Sequence, residues 1–185
     1  FEPPAGTEYF RLEQAPEFAR FKGIGVCEMD FGWCGGSPGG QTALWLLEVR
    51  DYSGRTVDPA YLKHEFVEKA KDSLLVLGSV WHGLPRQAEL RPCLPLAFQA
   101  QPTPNRKLKL VFVLKVDDAE SFRAAAQPLQ DSLRNRLKGH CDLLGVSGLC
   151  DILLLDHTTA INQGLPLRVD SSAFRPTTGR RHSRR

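Results

Sequence analysis

Two apolar runs, residues 42–49 and 108–114, flank a stretch whose apolar residues recur every three or four positions. Leu62, Phe66, Ala70, Leu74, Leu77 and Trp81 form the stripe, with Glu65, Glu68, Lys71 and Asp72 on the opposite face, as in an amphipathic helix. Asp58-Pro59 opens this stretch with a side chain that caps a helix and a proline suited to its first turn. Strand, helix and strand in this order confine the chain to a layered α/β architecture. At 185 residues it can bury roughly 70% of its unfolded surface around one core. A composition that is 42% hydrophobic and 24% charged excludes disordered, collagen-like and disulfide-scaffold classes.

The remaining elements fill in around this unit. Residues 7–21 read as one or two short helices, and residues 23–31 as a strand whose apolar and small or polar residues alternate. Gly35-Gly36-Ser37-Pro38-Gly39-Gly40 joins it to a second strand over 41–52, which suggests an antiparallel hairpin. Five prolines between residues 82 and 106 exclude a long regular element there, and a loop of that length is expected to cover or line something. Residues 107–116 read as a buried strand, and Asp117 with Glu120 as a capping box for the next helix. Pro128 predicts a kink in that helix or two consecutive helices, and Gly139 its end. Residues 151–155 form a last strand, extendable through 165–169. The expected fold is α/β with a mixed sheet of a hairpin plus following strands, flanked by helices. One domain spans residues 1–170, and a basic appendage occupies 171–185.

Charge is unevenly spread. The formal net charge is +3, but five arginines and no acid lie beyond Phe174. Without those five, 19 of the 24 basic residues face 21 acidic ones, a body near −2. The end can grip phosphates by counterion release, or it is simply solvated. No apolar run approaches the ~20 residues of a membrane helix, and residues 1–6 carry no basic or apolar signal segment. Cys27, Cys34, Cys93, Cys141 and Cys150 include no C-x-x-C pair, so we expect no structural metal and a reducing, cytoplasmic setting. Cys141 and Cys150 are able to approach one another.

Three acids resist explanation as solvated surface. Glu28 and Asp30, two apart on the expected first strand, leave the same face. Glu48 interrupts the apolar run of the second strand, with Arg50 two residues on. A carboxylate there must be paired, solvated at a rim, or holding a cation. A strand-end pair, Glu48 or Asp30 with Arg50, is the plain alternative to a metal site.

Asp30, a hairpin loop and then Glu48-Val49-Arg50 resemble the PD-(D/E)xK restriction-endonuclease-like superfamily, whose members carry an acid on one hairpin strand and a D/E-x-K tripeptide on the next. Residues 66–74 are similar to the helix following that hairpin in uncharacterised bacterial members. The resemblance covers element order over about residues 7–160, and motif over residues 26–77. It implies a restriction-endonuclease-like sheet and a metal-dependent nuclease hydrolysing DNA phosphodiester bonds, in a restriction or defence setting. Asp30 and Glu48 would ligate Mg²⁺ or Mn²⁺, ions that favour hard oxygen ligands, with Glu28 as a further contact. The metal would polarise a phosphodiester oxygen and activate water. The chain departs from the pattern at the tripeptide lysine, where Arg50 stands. Arginine stays protonated, so it stabilises charge but cannot act as a base. Lys69, on the next helix, is the best-placed substitute; otherwise it is an ordinary helix lysine with its head in solvent. A second reading makes the chain a catalytically inactive accessory module, which leaves a protein partner or a homodimer open.

Other signals carry less. The Gly-rich loop lacks the following Lys-Ser or Lys-Thr of a phosphate-binding loop. No histidine sits at metal-ligand spacing. Trp33, Trp45 and Trp81 are able to stack on bases, though Trp45 and Trp81 fit a core pattern better. Arg106, Lys107, Lys109, Arg134, Arg136 and Lys138 suit either a phosphate backbone or a solvated edge.

Overall fold

The computed structural model describes residues 8–22, 25–36, 42–56 and 58–167. The basic appendage at 171–185, positions 168–169 and residues 37–41 of the hairpin connection lie outside them. Five strands stand side by side in chain order: β1 (Tyr9–Phe10), β2 (Phe31–Gly36), β3 (Thr42–Asp51), β4 (Arg106–Lys115) and β5 (Cys150–Asp156). β1, β2 and β3 are antiparallel, whereas β4 runs parallel to β3 and β5 parallel to β4. The sheet is mixed, as the sequence implied. Parallel neighbours need long crossovers, supplied by α2 (Pro59–Trp81) between β3 and β4 and α3 (Ala119–Leu143) between β4 and β5. The short α1 (Ala19–Lys22) precedes the hairpin, and α4 (His157–Asn162) follows β5.

The alternation along each strand sorts side chains between two layers. Leu44 and Leu46 of β3, Leu108, Leu110 and Phe112 of β4, and Ile152 and Leu154 of β5 pack with Phe66, Leu74 and Leu77 of α2 and Leu133 and Leu137 of α3. Phe66 stacks on Phe112 with centroids 4.5 Å apart. The opposite face gathers Trp33, Trp45, Leu47, Val111 and Val113 with Ala160 of α4 and Leu165. Period two therefore assigns Glu48 and Arg50 to the face of Leu44 and Leu46, under α2.

The outer edge of β5 is occupied by α3 side chains. Leu154 N–H donates to Gln130 Oε1 at 2.9 Å, and Arg134 Nη2 donates to the Ile152 carbonyl at 3.3 Å.

Several local expectations are corrected. No strand runs through residues 25–30: β2 starts at Phe31. The Cys27 and Met29 N–H groups go to Asp72 Oδ2 and Ser73 Oγ of α2, each at 2.9 Å, rather than to a ladder. Glu28 and Asp30 thus lie on irregular backbone. The cap of α3 is Asp118, which accepts from Ser121 N–H at 3.0 Å; Asp117 instead accepts from Gly54 N–H at 2.6 Å. Pro128 neither breaks nor divides α3. Proline costs about 3 kcal/mol in a helix interior, and burial of Leu133 and Leu137 beyond it holds the helix together. Gly139 lies inside α3, which runs on to Leu143; the reversal comes at Gly145, at φ 67°. Leu165–Leu167 add no strand to β5, because Leu165 N–H closes the end of α4 on the Ala160 carbonyl at 3.0 Å. The short helices expected before the hairpin are present as 3₁₀ turns at Leu12–Gln14 and Pro16–Phe18 followed by α1, with β1 ahead of them as an addition. The proline-rich stretch forms 3₁₀ helices at Pro85–Cys93 and Leu96–Phe98, seated in the core by Leu90, Leu94 and Phe98.

Candidate functional site

Asp30 stands where pairing between β2 and β3 stops. The last ladder pair is Phe31 with Leu47. The next N–H on β3, that of Val49, is taken at 3.1 Å by Asp30 Oδ2. One carboxylate oxygen thus ends the hairpin while the other faces α2. The segment before it is tied down by Asp72 and Ser73, so the helix and the strand together fix Asp30.

Glu48 comes from the neighbouring strand and is completely buried. Its Oε2 accepts a hydrogen bond from Lys69 Nζ at 3.0 Å, and its Oε1 lies 2.8 Å from the same ammonium and 2.7 Å from Arg50 Nη2. Oε1 is nonetheless without a well-aligned hydrogen bond. Lys69 Nζ is also 3.6 Å from Asp30 Oδ1. The ammonium therefore lies against both carboxylates. Arg50 leans the other way, donating from Nε to Glu65 Oε1 at 2.9 Å, with Nη2 2.7 Å from the same oxygen. Glu65 and Lys69 are four apart on α2 and so share a face. The site is built by two adjacent strand ends and one helical row.

Three carboxylates (Asp30, Glu48, Glu65) meet two cations (Arg50, Lys69), so the cluster is one charge negative when Glu48 is ionised and neutral when it holds a proton. Burial and the neighbouring Asp30 push the Glu48 carboxyl up to about 7, against the pull of Lys69 and Arg50. Arg50 is held further into its charged range by Glu48 and Glu65, which outweigh its partial burial. Glu28 enters the same neighbourhood by a different route from the one the sequence suggested. With Asp30, Lys69, Glu13 and Cys27 it lines a groove of about 270 Å³.

The structure thus brings together Asp30, Glu48, Arg50 and Lys69, with Glu28 on the adjoining groove. Sequence reasoning missed Glu65, and its signal was available: it sits one helical turn before Lys69, on the face that α2 turns to β3. Among the described residues no group of three or more His, Cys, Asp or Glu side chains is arranged to hold a metal. Two carboxylates that already share one cation, one of them with a buried oxygen lacking an aligned donor, do have the chemistry to take a hard divalent ion completed by water.

The other aromatic candidates, and Arg106, Lys107, Lys109 and Arg134 among the basic ones, are engaged elsewhere. Trp33 and Trp45 are buried and stacked on each other at 5.4 Å and 6°, and Trp81 donates to the Phe98 carbonyl at 2.9 Å. Lys109 lies over the Trp45 ring, and Arg106 donates to the Gln101 carbonyl. Among the described residues no helix is long and apolar enough to cross a membrane. No family model, curated protein sequence or solved structure matches this chain.

Proposed function

We propose that this cluster is the centre of a metal-dependent nuclease hydrolysing DNA phosphodiester bonds, on a restriction-endonuclease-like sheet. One observation carries the reading: the Lys69 ammonium lies against both Asp30 and Glu48. A helix lysine thereby stands in for the lysine that the Glu48-Val49-Arg50 tripeptide lacks. The hairpin, crossover helix and parallel strand follow the element order the resemblance implies, and the cluster lies toward the C-terminal ends of the parallel strands, where open α/β sheets bind ligands.

Asp30 and Glu48 would hold Mg²⁺ or Mn²⁺, with Glu28 near enough to add a contact. When bound, such an ion supplies charge stabilisation at a phosphoryl oxygen and a more acidic water. The chain's own groups do the rest. Lys69 keeps a donor beside the two carboxylates, suited to orienting water or steadying charge on a phosphate. Arg50 remains protonated and stabilises negative charge, while Glu65 holds its guanidinium in place.

The reading is tested by plasmid cleavage with Mg²⁺ or Mn²⁺, comparing wild type with Glu48→Ala. Metal-dependent cutting by the wild type and none by the variant is expected; equal cutting by both sinks the assignment. The second reading, a nuclease fold serving as an inactive interaction module, draws on the complete burial of Glu48 between two cations. Calorimetric titration with Mn²⁺ separates the two, because a permanently closed cluster takes up no ion.

A further inference from the structure

At the other end of the sheet, two cysteines return to each other. Cys141 lies in the last turn of α3, and Cys150 is the first residue of β5. The chain reverses between them at Gly145 and Gly148, whose φ of 67° and 72° suit glycine. Val146 N–H donates to the Cys141 carbonyl, and Leu149 N–H to the Val146 carbonyl, each at 2.9 Å. Both cysteines pack on the helix-side core. Both also line one groove of about 330 Å³, beside Arg134, Lys138, Ser147 and Gly148. Both are free thiols, and Cys150 beside it holds the Cys141 thiol below its ordinary range.

We propose that Cys141 and Cys150 form a dithiol site that a small peroxide oxidises to an intramolecular disulfide. Peroxide is a suitable oxidant because the thiolate is the attacking form of cysteine and the groove the two cysteines share admits a small molecule. Its sulfur attacks one peroxide oxygen; an S–O bond forms, the O–O bond breaks, and hydroxide leaves and takes up the proton that Cys141 released. Cys141 is then a sulfenic acid. The Cys150 sulfur attacks the Cys141 sulfur; the S–S bond forms, the S–O bond breaks, and the departing hydroxide takes the Cys150 proton as water. Two electrons pass from the sulfurs to the peroxide, and a thiol reductant returns the pair to its starting state. The other thiols lack this arrangement. Cys93, beside Glu17, is pushed up to about 11 by burial and that carboxylate. Cys34 is also raised by burial.

The test is treatment of the whole chain with hydrogen peroxide, alkylation of the remaining thiols, and peptide mapping after chymotrypsin. Cleavage beyond Leu143 or Leu144 separates the two cysteines, so a bridge between them joins two peptides. The expected result is a Cys141–Cys150 linked peptide, absent after dithiothreitol, with Cys27 still alkylated. Alkylated Cys141 and Cys150 after other thiols have oxidised, or disulfide-linked dimers through Cys27, overturns the proposal. In Cys150→Ser, dimedone should trap a sulfenic acid on Cys141. An unmodified Cys141 at peroxide levels that bridge the wild-type pair refutes the assigned order of attack. The wild-type mapping needs no variant to fold.

Discussion

Glu48 and Asp51 stand three residues apart on β3, and each accepts a hydrogen bond from a lysine at 3.0 Å, Lys69 and Lys115 respectively. Their proton affinities nevertheless move in opposite directions. Glu48, wholly buried and near Asp30, is pushed up to about 7. Asp51, exposed at the strand end, is drawn down to about 2 by hydrogen bonds from Ser53 and then Lys115. The pairing distance is the same, so distance does not decide the outcome. Water does: Asp51 keeps its hydration and adds donors, whereas Glu48 has given hydration up and the two cations beside it do not fully replace it. An acid in that second condition holds a partner more tightly and has more use for an additional cation.

The comparison is broken most severely at Lys69. Lys69→Ala leaves Glu48 buried with Asp30 and only Arg50 as a close counter-charge. Breaking a buried pair costs about 3–5 kcal/mol, and we expect a loss in that range by chemical denaturation together with loss of most cleavage. A variant as stable and as active as wild type would place Lys69 outside the site.

A second effect appears in the pH dependence of stability. The folded Glu48 carboxyl retains its proton up to about 7, above its ordinary value of 4.5. This group's contribution is therefore fully present below 4.5 and is lost as pH rises through about 7. At 1.36 kcal/mol per pH unit the change is on the order of 3 kcal/mol. Glu48→Gln should flatten that part of the stability profile, read as melting temperature against pH. An unchanged slope would show that Glu48 titrates as an ordinary carboxylate.

Arg50→Lys should do less. It supplies the lysine that the proposed nuclease reading expects at this position but loses the fork onto Glu65, so we expect cleavage equal to or above wild type with about 1 kcal/mol of stability lost. A fall in cleavage of about a hundredfold or more would give Arg50 the leading role instead. Asp51→Asn should do least. Exposed pairs contribute about 0–1 kcal/mol, and Asp51's share is present above 3.8 and lost as pH falls through about 2. Denaturation near neutral pH should barely register the change, with cleavage intact; a loss comparable to that of Lys69→Ala would erase the distinction between the two acids.

Much of the site is legible in the sequence because its parts ride on regular elements. The apolar run around Glu48 announces a buried strand, and Asp58-Pro59 with the stripe from Leu62 to Trp81 sets the helix that carries Lys69. Asp30 could be nominated but not positioned. Its segment alternates like a strand, yet its N–H groups belong to Asp72 and Ser73, more than forty residues away. No local pattern encodes such a partner. Glu65 was missed although its spacing from Lys69 was readable, because a carboxylate on an amphipathic helix reads as solvated until a strand brings Arg50 beneath it. Gly139 misleads in the opposite sense, because local preference there yields to the packing of α3.

The helix side chains along the last strand have a consequence for the molecule in company. An uncovered strand edge is a template on which a second chain can continue the sheet, the route by which many folded proteins aggregate. On β5 that template is interrupted where it matters: Gln130 occupies the Leu154 donor and Arg134 the Ile152 acceptor. A strand arriving from another molecule would have to displace both before pairing at these positions. The same residues that seat α3 thus occupy two of the groups through which β5 could pair with a strand of another molecule.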